Sequence, residues 1–192
     1  MDSLFNNILS EQFLSPIYLS LKIASVATFF VIIIGTFCGR MIGQKEFKGK
    51  AIVETVLMIP MVLPPTVVGF LLIIIFGRGS VVGQTIEWIF HQPIMFTWVA
   101  AVISAVVVSF PIMYQSAKSG FLSIDRDLED AARMDGANEW KVFWYISLPL
   151  ASKALITGGI LSFARALGEF GATLMFAGNI PGKTQTLPTA IY

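Results

Sequence analysis

YLSLKIASVATFFVIIIGTFCGRMI, from Tyr18 to Ile42, decides which solvent this chain folds in. Between Lys22 and Arg40 it holds no charge at all. At ~1.5 Å rise per residue a helix of this length crosses a hydrocarbon core of roughly 30 Å. No water reaches the backbone there, so a lone spanning run must satisfy its own N–H and C=O groups as a helix.

Three further runs extend this pattern: Ala51 to Phe76, Ile94 to Met113, and Leu150 to Ala177, the last interrupted by Arg165 and Glu169. Of 192 residues 55% are hydrophobic and 13% charged. A soluble domain carries about 25% charged residues, so the bilayer is the better solvent for this composition. The expected fold is all-α, a polytopic helical membrane protein, with residues 1 to 192 forming a single transmembrane domain. Its spans are placed at about 18–42, 51–76, 94–113 and 150–177, with a polar segment at 115–149.

The same composition removes several function classes. No basic cluster with interleaved aromatics supports nucleic-acid binding. Cys38 is the one cysteine, which excludes an internal disulfide and a thiolate metal cluster. His91 is the one histidine and has no carboxylate cluster beside it, so no metal site is expected. No Lys or Arg precedes the first apolar run in Met1 to Pro16, so the charged start of a cleaved signal peptide is lacking. An intramembrane hydrolase needs a Ser–His or paired-Asp site within spans, and neither is present.

Orientation follows from the basic residues. Arg40, at the end of the first span, is followed by Lys45, Lys48 and Lys50; Lys118, Arg126, Arg133 and Lys141 lie between the third and fourth, with Lys153 at the far edge of that stretch. Only Arg78 and Lys183 fall on the other side. The loop Gly43 to Lys50 and the segment Gln115 to Pro149 are therefore expected in the cytoplasm. The N-terminus, the loop Gly77 to Pro93 and the tail Gly178 to Tyr192 are expected outside.

Within the spans, Gly35, Gly39 and Gly43 recur every four residues, a stripe that lets another helix approach closely. Pro60, Pro64 and Pro65 interrupt the second span. Such breaks are tolerated where they face protein or a wet cavity. Pro64, Pro65 and Thr66 are thus candidates for a pathway, the alternative being a kink without such a role. Pro111 beside Ser109 repeats the situation in the third span. Arg165 and Glu169, four apart, share a helix face. An ionisable pair at membrane depth normally faces the bundle or water. It either attracts an anion or locks the fourth span to its neighbours.

The polar segment reads as two short helices. Asp125 caps the first, which Gly136 ends in a left-handed conformation. Asn138 caps the second, whose Trp140, Phe143 and Trp144 share one face. Pro149 marks entry to the fourth span. Two capped helices with an aromatic face suggest a docking element; an interfacial helix lying on lipid headgroups is the alternative.

The spacing within this segment is specific: Asp130-Ala131-Ala132, three residues, Gly136, nine residues, Ile146, one residue, Leu148-Pro149. It resembles the EAA loop of the membrane subunits of ABC-type importers, with Asp130 where that motif usually has Glu. The resemblance implies coupling helices seated on a cytoplasmic ATPase, with Asp130, Ala131, Ala132, Gly136 and Trp140 at the contact. Pro60-Met-Val-Leu-Pro-Pro-Thr-Val-Val-Gly69 with Phe76-Gly-Arg-Gly-Ser80, and Ala164-Arg-Ala-Leu-Gly-Glu-Phe-Gly-Ala172, are similar to the molybdate, tungstate and sulfate permease group.

That resemblance implies a transport subunit of a prokaryotic cell membrane, not an enzyme. It would work as a homodimer with ABC ATPase subunits and an extracytoplasmic molybdate-binding protein. The translocation pathway would involve Pro64, Pro65, Thr66, Ser109, Arg165 and Glu169. The alternatives are a tungstate or sulfate/thiosulfate permease, or a membrane scaffold that transports nothing. No cofactor is implied for this chain itself; ATP and Mg would be bound by the partner. Gly178-Asn-Ile-Pro-Gly-Lys-Thr184 is one residue short of a phosphate-binding G-x4-G-K-T spacing and is expected to be an outward loop. Permeases of this group continue into a further membrane helix, so a last helix is expected to be missing from the four visible here.

Overall fold

A computed structural model describes residues 11–192. The signal-peptide reading falls largely on Met1 to Ser10, which lie outside the described residues, and so does the outward placement of the N-terminus. Among the described residues ten α-helices follow in order: α1 Glu11–Gln44, α2 Lys50–Val62, α3 Pro65–Phe76, α4 Val81–Phe90, α5 Trp98–Leu122, α6 Arg126–Met134, α7 Glu139–Val142, α8 Leu148–Leu167, α9 Gly171–Ala177 and α10 Leu187–Ile191. No strand occurs among the described residues. Three stretches, Leu14–Gln44, Trp98–Leu122 and Glu139–Leu167, are long and apolar enough to cross a membrane; α2 and α3 together supply a fourth if taken as one span.

The second expected span, 51–76, is not straight. α2 and α3 meet at 116°. Pro64 and Pro65 each lack the N–H that would reach back four residues, so the helical ladder fails twice in succession. Pro65 then opens α3 with its φ already suited to a first turn. Pro60, further back, is held inside α2.

The fourth expected span, 150–177, differs at both ends. It begins earlier, because the helix runs without a break from Glu139 to Leu167. Pro149 does not interrupt it. Phe143–Ser147 forms one wide π-helical turn instead, in which the Leu148 N–H reaches back five residues to the Phe143 carbonyl. The widened turn makes room for a proline ring that would meet a carbonyl in a regular turn. The helix also stops earlier, at Leu167, and α9 restarts at Gly171. The third span likewise extends to Leu122, so residues 115–122 belong to a helix rather than to a loop.

The chain packs as two compact units. The first holds residues up to Thr28 with Pro60–Ser109 and Phe163–Tyr192. Its core is small-residue rich: Ala24, Ala27, Ala100, Ala101, Ala105 and Ala172 surround Val68, Leu72 and Phe176. A Cβ built on Gly69 would lie 2.9 Å from the Ala172 Cα, so α3 and α9 cross almost backbone to backbone. Leu187 donates its N–H to the Ser20 hydroxyl at 2.6 Å, which pins α10 to α1.

The second unit holds Phe29–Ile59 and Phe110–Ser162. Here the glycine stripe finds its partner. Cβ atoms on Gly35, Gly39 and Gly43 would meet Met113, Ala117 and Lys118 at 2.6, 2.6 and 2.9 Å. The stripe is the face along which α1 packs on α5. Gly158 against Ser116 and Gly120 against Ala154 do the same for α8 on α5. Glu54 of α2 accepts from Lys118 at 2.6 Å and from the Tyr114 hydroxyl at 3.2 Å. That tether matters, because α2 has no buried residue of its own.

Candidate functional site

The polar segment folds as its caps dictate. Asp125 accepts from the Asp127 N–H at 3.1 Å and starts α6. Gly136 has φ +88°, a conformation costly for any residue with a Cβ. It lets the Gly136 and Ala137 N–H groups return to the Arg133 and Ala132 carbonyls. Asn138 then accepts from the Lys141 N–H at 2.9 Å and starts α7. Trp140 and Trp144 stack at 6.5 Å, with Phe143 edge-on to both.

Of the three carboxylates of α6, Glu129 is only 6% exposed, whereas Leu128 and Met134 are 50% and 89% exposed. Glu129 accepts from the Ser147 hydroxyl at 2.5 Å, from Arg40 at 3.3 Å and from Arg133 at 3.4 Å. Arg40 in turn lies over the rings of Phe143 and Phe121, at 5.0 and 5.5 Å. One carboxylate thereby fastens α6 to α1 and to the π turn. Burial alone pushes the Glu129 carboxyl up, but the Ser147 hydrogen bond and the Arg40 and Arg133 charges outweigh it and hold it below the usual carboxylate range.

Arg133 adds a clasp across the Gly136 turn. It bonds Asp130 at 2.6 Å on its own helix, and Glu139 of α7 at 2.7 and 3.2 Å. The angle between α6 and α7 is thus fixed by a two-pronged ion pair as well as by backbone geometry. Asp130 and Ala131 remain exposed beside Leu128 and Met134.

Glu129, Arg40 and Ser147 were not among the residues expected from sequence. The signal was in the pattern: Glu129 shares its face with Ala132 and Arg133, while Leu128, Ala131 and Met134 form the opposite one.

The expected pathway residues are brought together in part. Pro64, Pro65 and Thr66 are exposed at the bend between α2 and α3. A Cβ on Gly171 would lie 3.0 Å from the Pro65 Cβ and 3.1 Å from the Thr66 N, so α9 starts against that bend. Glu169 is 2% exposed and bonds Arg165 at 2.7 Å and the Ala172 N–H at 2.8 Å. It therefore both pairs with Arg165 and caps α9. Ser109 is fully buried, its hydroxyl donating to the Ala105 carbonyl. Ser104, Ser162 and Thr173, polar positions of the same spans, are buried as well.

The Gly178 to Thr184 stretch is a self-contained turn. Thr184 is fully buried; its hydroxyl accepts from the Ile180 N–H and donates to the Gly178 carbonyl. No phosphate cradle is formed. Among the described residues no group of His, Cys, Asp and Glu is arranged to hold a metal ion.

The chain combines apolar helices that bend or break with a short polar segment that exposes Leu128 and Met134. The family model for binding-protein-dependent transport system inner membrane components matches residues 17–192, and the chain belongs to that family, the permease subunits of ABC importers. It is 62% identical over 187 residues to a Bacillus subtilis (strain 168) protein that carries the name molybdenum transport system permease protein YvgM, covering 97% of this chain and 82% of that one. It is 43% identical over 185 residues to the Escherichia coli (strain K12) molybdenum transport system permease protein ModB, covering 96% and 81%. A sulfate transport system permease protein, CysW of Synechococcus elongatus, is 36% identical over 147 residues, covering 77% and 51%.

Proposed function

We propose that this chain forms the translocation pathway of an ATP-driven molybdate importer and couples it to a separate cytoplasmic ATPase through α6 and α7. The observation that carries the coupling role is the outward apolar face of α6. A helix that buries Glu129 and exposes Leu128, Ala131 and Met134 is built to seat in another surface. The Arg133 clasp keeps both short helices at one angle, so the pair moves as a block. Asp130, Ala131, Ala132, Gly136 and Trp140 are the contact and its frame.

Molybdate as cargo is supported by the relatives named for molybdenum transport at 62% and 43% identity. The sulfate-permease relative at 36% keeps sulfate or thiosulfate, with tungstate, as the second reading.

In this reading two copies assemble around a shared pathway, with the N-terminus outside. An external binding protein delivers the oxyanion, and ATP and Mg are bound by the ATPase. The exposed bend at Pro64, Pro65 and Thr66 and the Arg165 guanidinium border the route, while Glu169 holds Arg165 and the start of α9. Ser109 of α5 belongs, in this reading, to the same route. A membrane scaffold without transport has no use for a sharply bent span with a charged pair packed near it.

The test is reconstitution with the ATPase and binding protein, following ATP-dependent uptake of labelled molybdate with sulfate as competitor. Uptake that sulfate does not suppress is expected; none at all in the full assembly sinks the reading. Gly136→Val, which forces a β-branched residue to φ +88°, should leave ATP hydrolysis running while uptake falls at least tenfold.

A further inference from the structure

A groove of about 680 Å³ runs beside the polar segment, lined by α1, α7, the π turn and α8. Much of its lining is apolar, with Ile33, Phe37, Met41 and Leu155 among it. Its mouth, taken as the Lys45 end of α1, also carries Arg40 and Arg133 and one carboxylate, Glu139. Arg40 and Arg133 are held by acidic partners, but Lys45 has no ion-pair or hydrogen-bond partner among the described residues. Trp140 and Trp144, stacked and more than half exposed, flank the same mouth.

We infer that this groove is a binding site for one anionic diacyl phospholipid of the surrounding bilayer, its phosphate on Lys45 and its acyl chain along Phe37, Met41 and Leu155. An apolar wall alone would not distinguish such a site, because lipid tails cover any membrane helix without preference. The asymmetry distinguishes it. Indole rings mark the headgroup level, and an unpaired cation at that level seeks an anion, which a zwitterionic lipid offers only together with its own cation. Because Glu139 and Arg133 both line the mouth, a bound headgroup would touch the clasp between α6 and α7.

The test uses the full permease, with its ATPase, in nanodiscs of phosphatidylglycerol mixed equally with phosphatidylcholine, released into native mass spectrometry. The expected result is a retained phosphatidylglycerol adduct at least tenfold in excess over phosphatidylcholine. Lys45→Glu should abolish that excess, while Lys48→Glu, a neighbouring exposed lysine outside the groove, should leave it. Leu155→Trp, which fills the groove and leaves the charge, should lower the adduct with the thermal unfolding midpoint checked alongside. Equal retention of both lipids, an excess that survives Lys45→Glu, or equal loss in Lys48→Glu overturns the proposal. An adduct lost in Lys45→Glu but unchanged in a folded Leu155→Trp overturns it too, by showing a headgroup contact without a seated chain.

Discussion

Glu129 and Glu169 face the same problem and solve it differently. Each is a carboxylate almost wholly removed from solvent, at 6% and 2% exposure. Glu169 is satisfied within its own neighbourhood: Arg165 four residues back and the Ala172 N–H three residues on. Glu129 reaches Ser147 eighteen residues away and Arg40 eighty-nine away. A local solution shapes one helix end, since it lets α8 stop and α9 restart. A distant solution joins elements that the chain order keeps apart. The two carboxylates thus do different jobs, one setting a break and the other setting a dock.

Removing either acid breaks this contrast, and the larger loss should come at Glu129. Glu129→Ala strands Arg40, whose side chain is 16% exposed and wedged over two rings. Breaking a buried pair costs about 4 kcal/mol, and thermal unfolding in detergent should register most of it. Glu169→Ala strands Arg165, which is 32% exposed and can find polar surroundings. About 2 kcal/mol is expected there, less than for a fully buried pair. Equal losses at both sites would erase the distinction.

Glu169→Gln sharpens it. Glutamine keeps an acceptor for the Ala172 N–H and loses only the charge pair, so about 1.5 kcal/mol should go, the low end for one charge-assisted bond. If Glu169→Gln costs as much as Glu169→Ala, the cap on α9 is unimportant.

pH offers a further cut. The Glu129 carboxyl sits below its ordinary range, so its contribution is whole above the unfolded value near ~4.3 and fades as pH falls through the lower folded value. The unfolding midpoint of the unaltered chain should drop over that window more steeply than that of Glu129→Gln. Parallel curves would show that Glu129 is not held charged. The smallest effect belongs to the Arg133 clasp. Glu139 is largely exposed, at 71% of its side chain, so Glu139→Gln should cost well under ~1 kcal/mol of stability. Its readout is coupling efficiency rather than melting.

What the sequence disclosed was local. The caps at Asp125 and Asn138, the turn at Gly136 and the aromatic face from Trp140 to Trp144 all rest on neighbours within a few residues. The helical, membrane-spanning class rests on composition and run length, which no tertiary contact can alter. The glycine stripe announced a contact but not its partner, because Met113, Ala117 and Lys118 lie far along the chain. Long-range pairs such as Arg40 with Glu129 and Glu54 with Lys118 leave no periodic trace. Pro149 misled for a different reason. A proline predicts a helix end only if the preceding turn stays regular, and here that turn widens.

That widened turn has a geometric consequence. A π turn holds one residue more than the α-helix around it. Each residue advances an α-helix by about 100°. Winding all five residues from Phe143 to Ser147 as regular α-helix would therefore swing everything ahead of them by roughly a quarter of a revolution about the α8 axis, whereas deleting one of them would remove the wide turn and keep the bearing. The bearing of Trp140 and Trp144, and with them the azimuth of α6, is stepped rather than continuous. It is set by an integer in the chain, the way a key's teeth are set by whole notches.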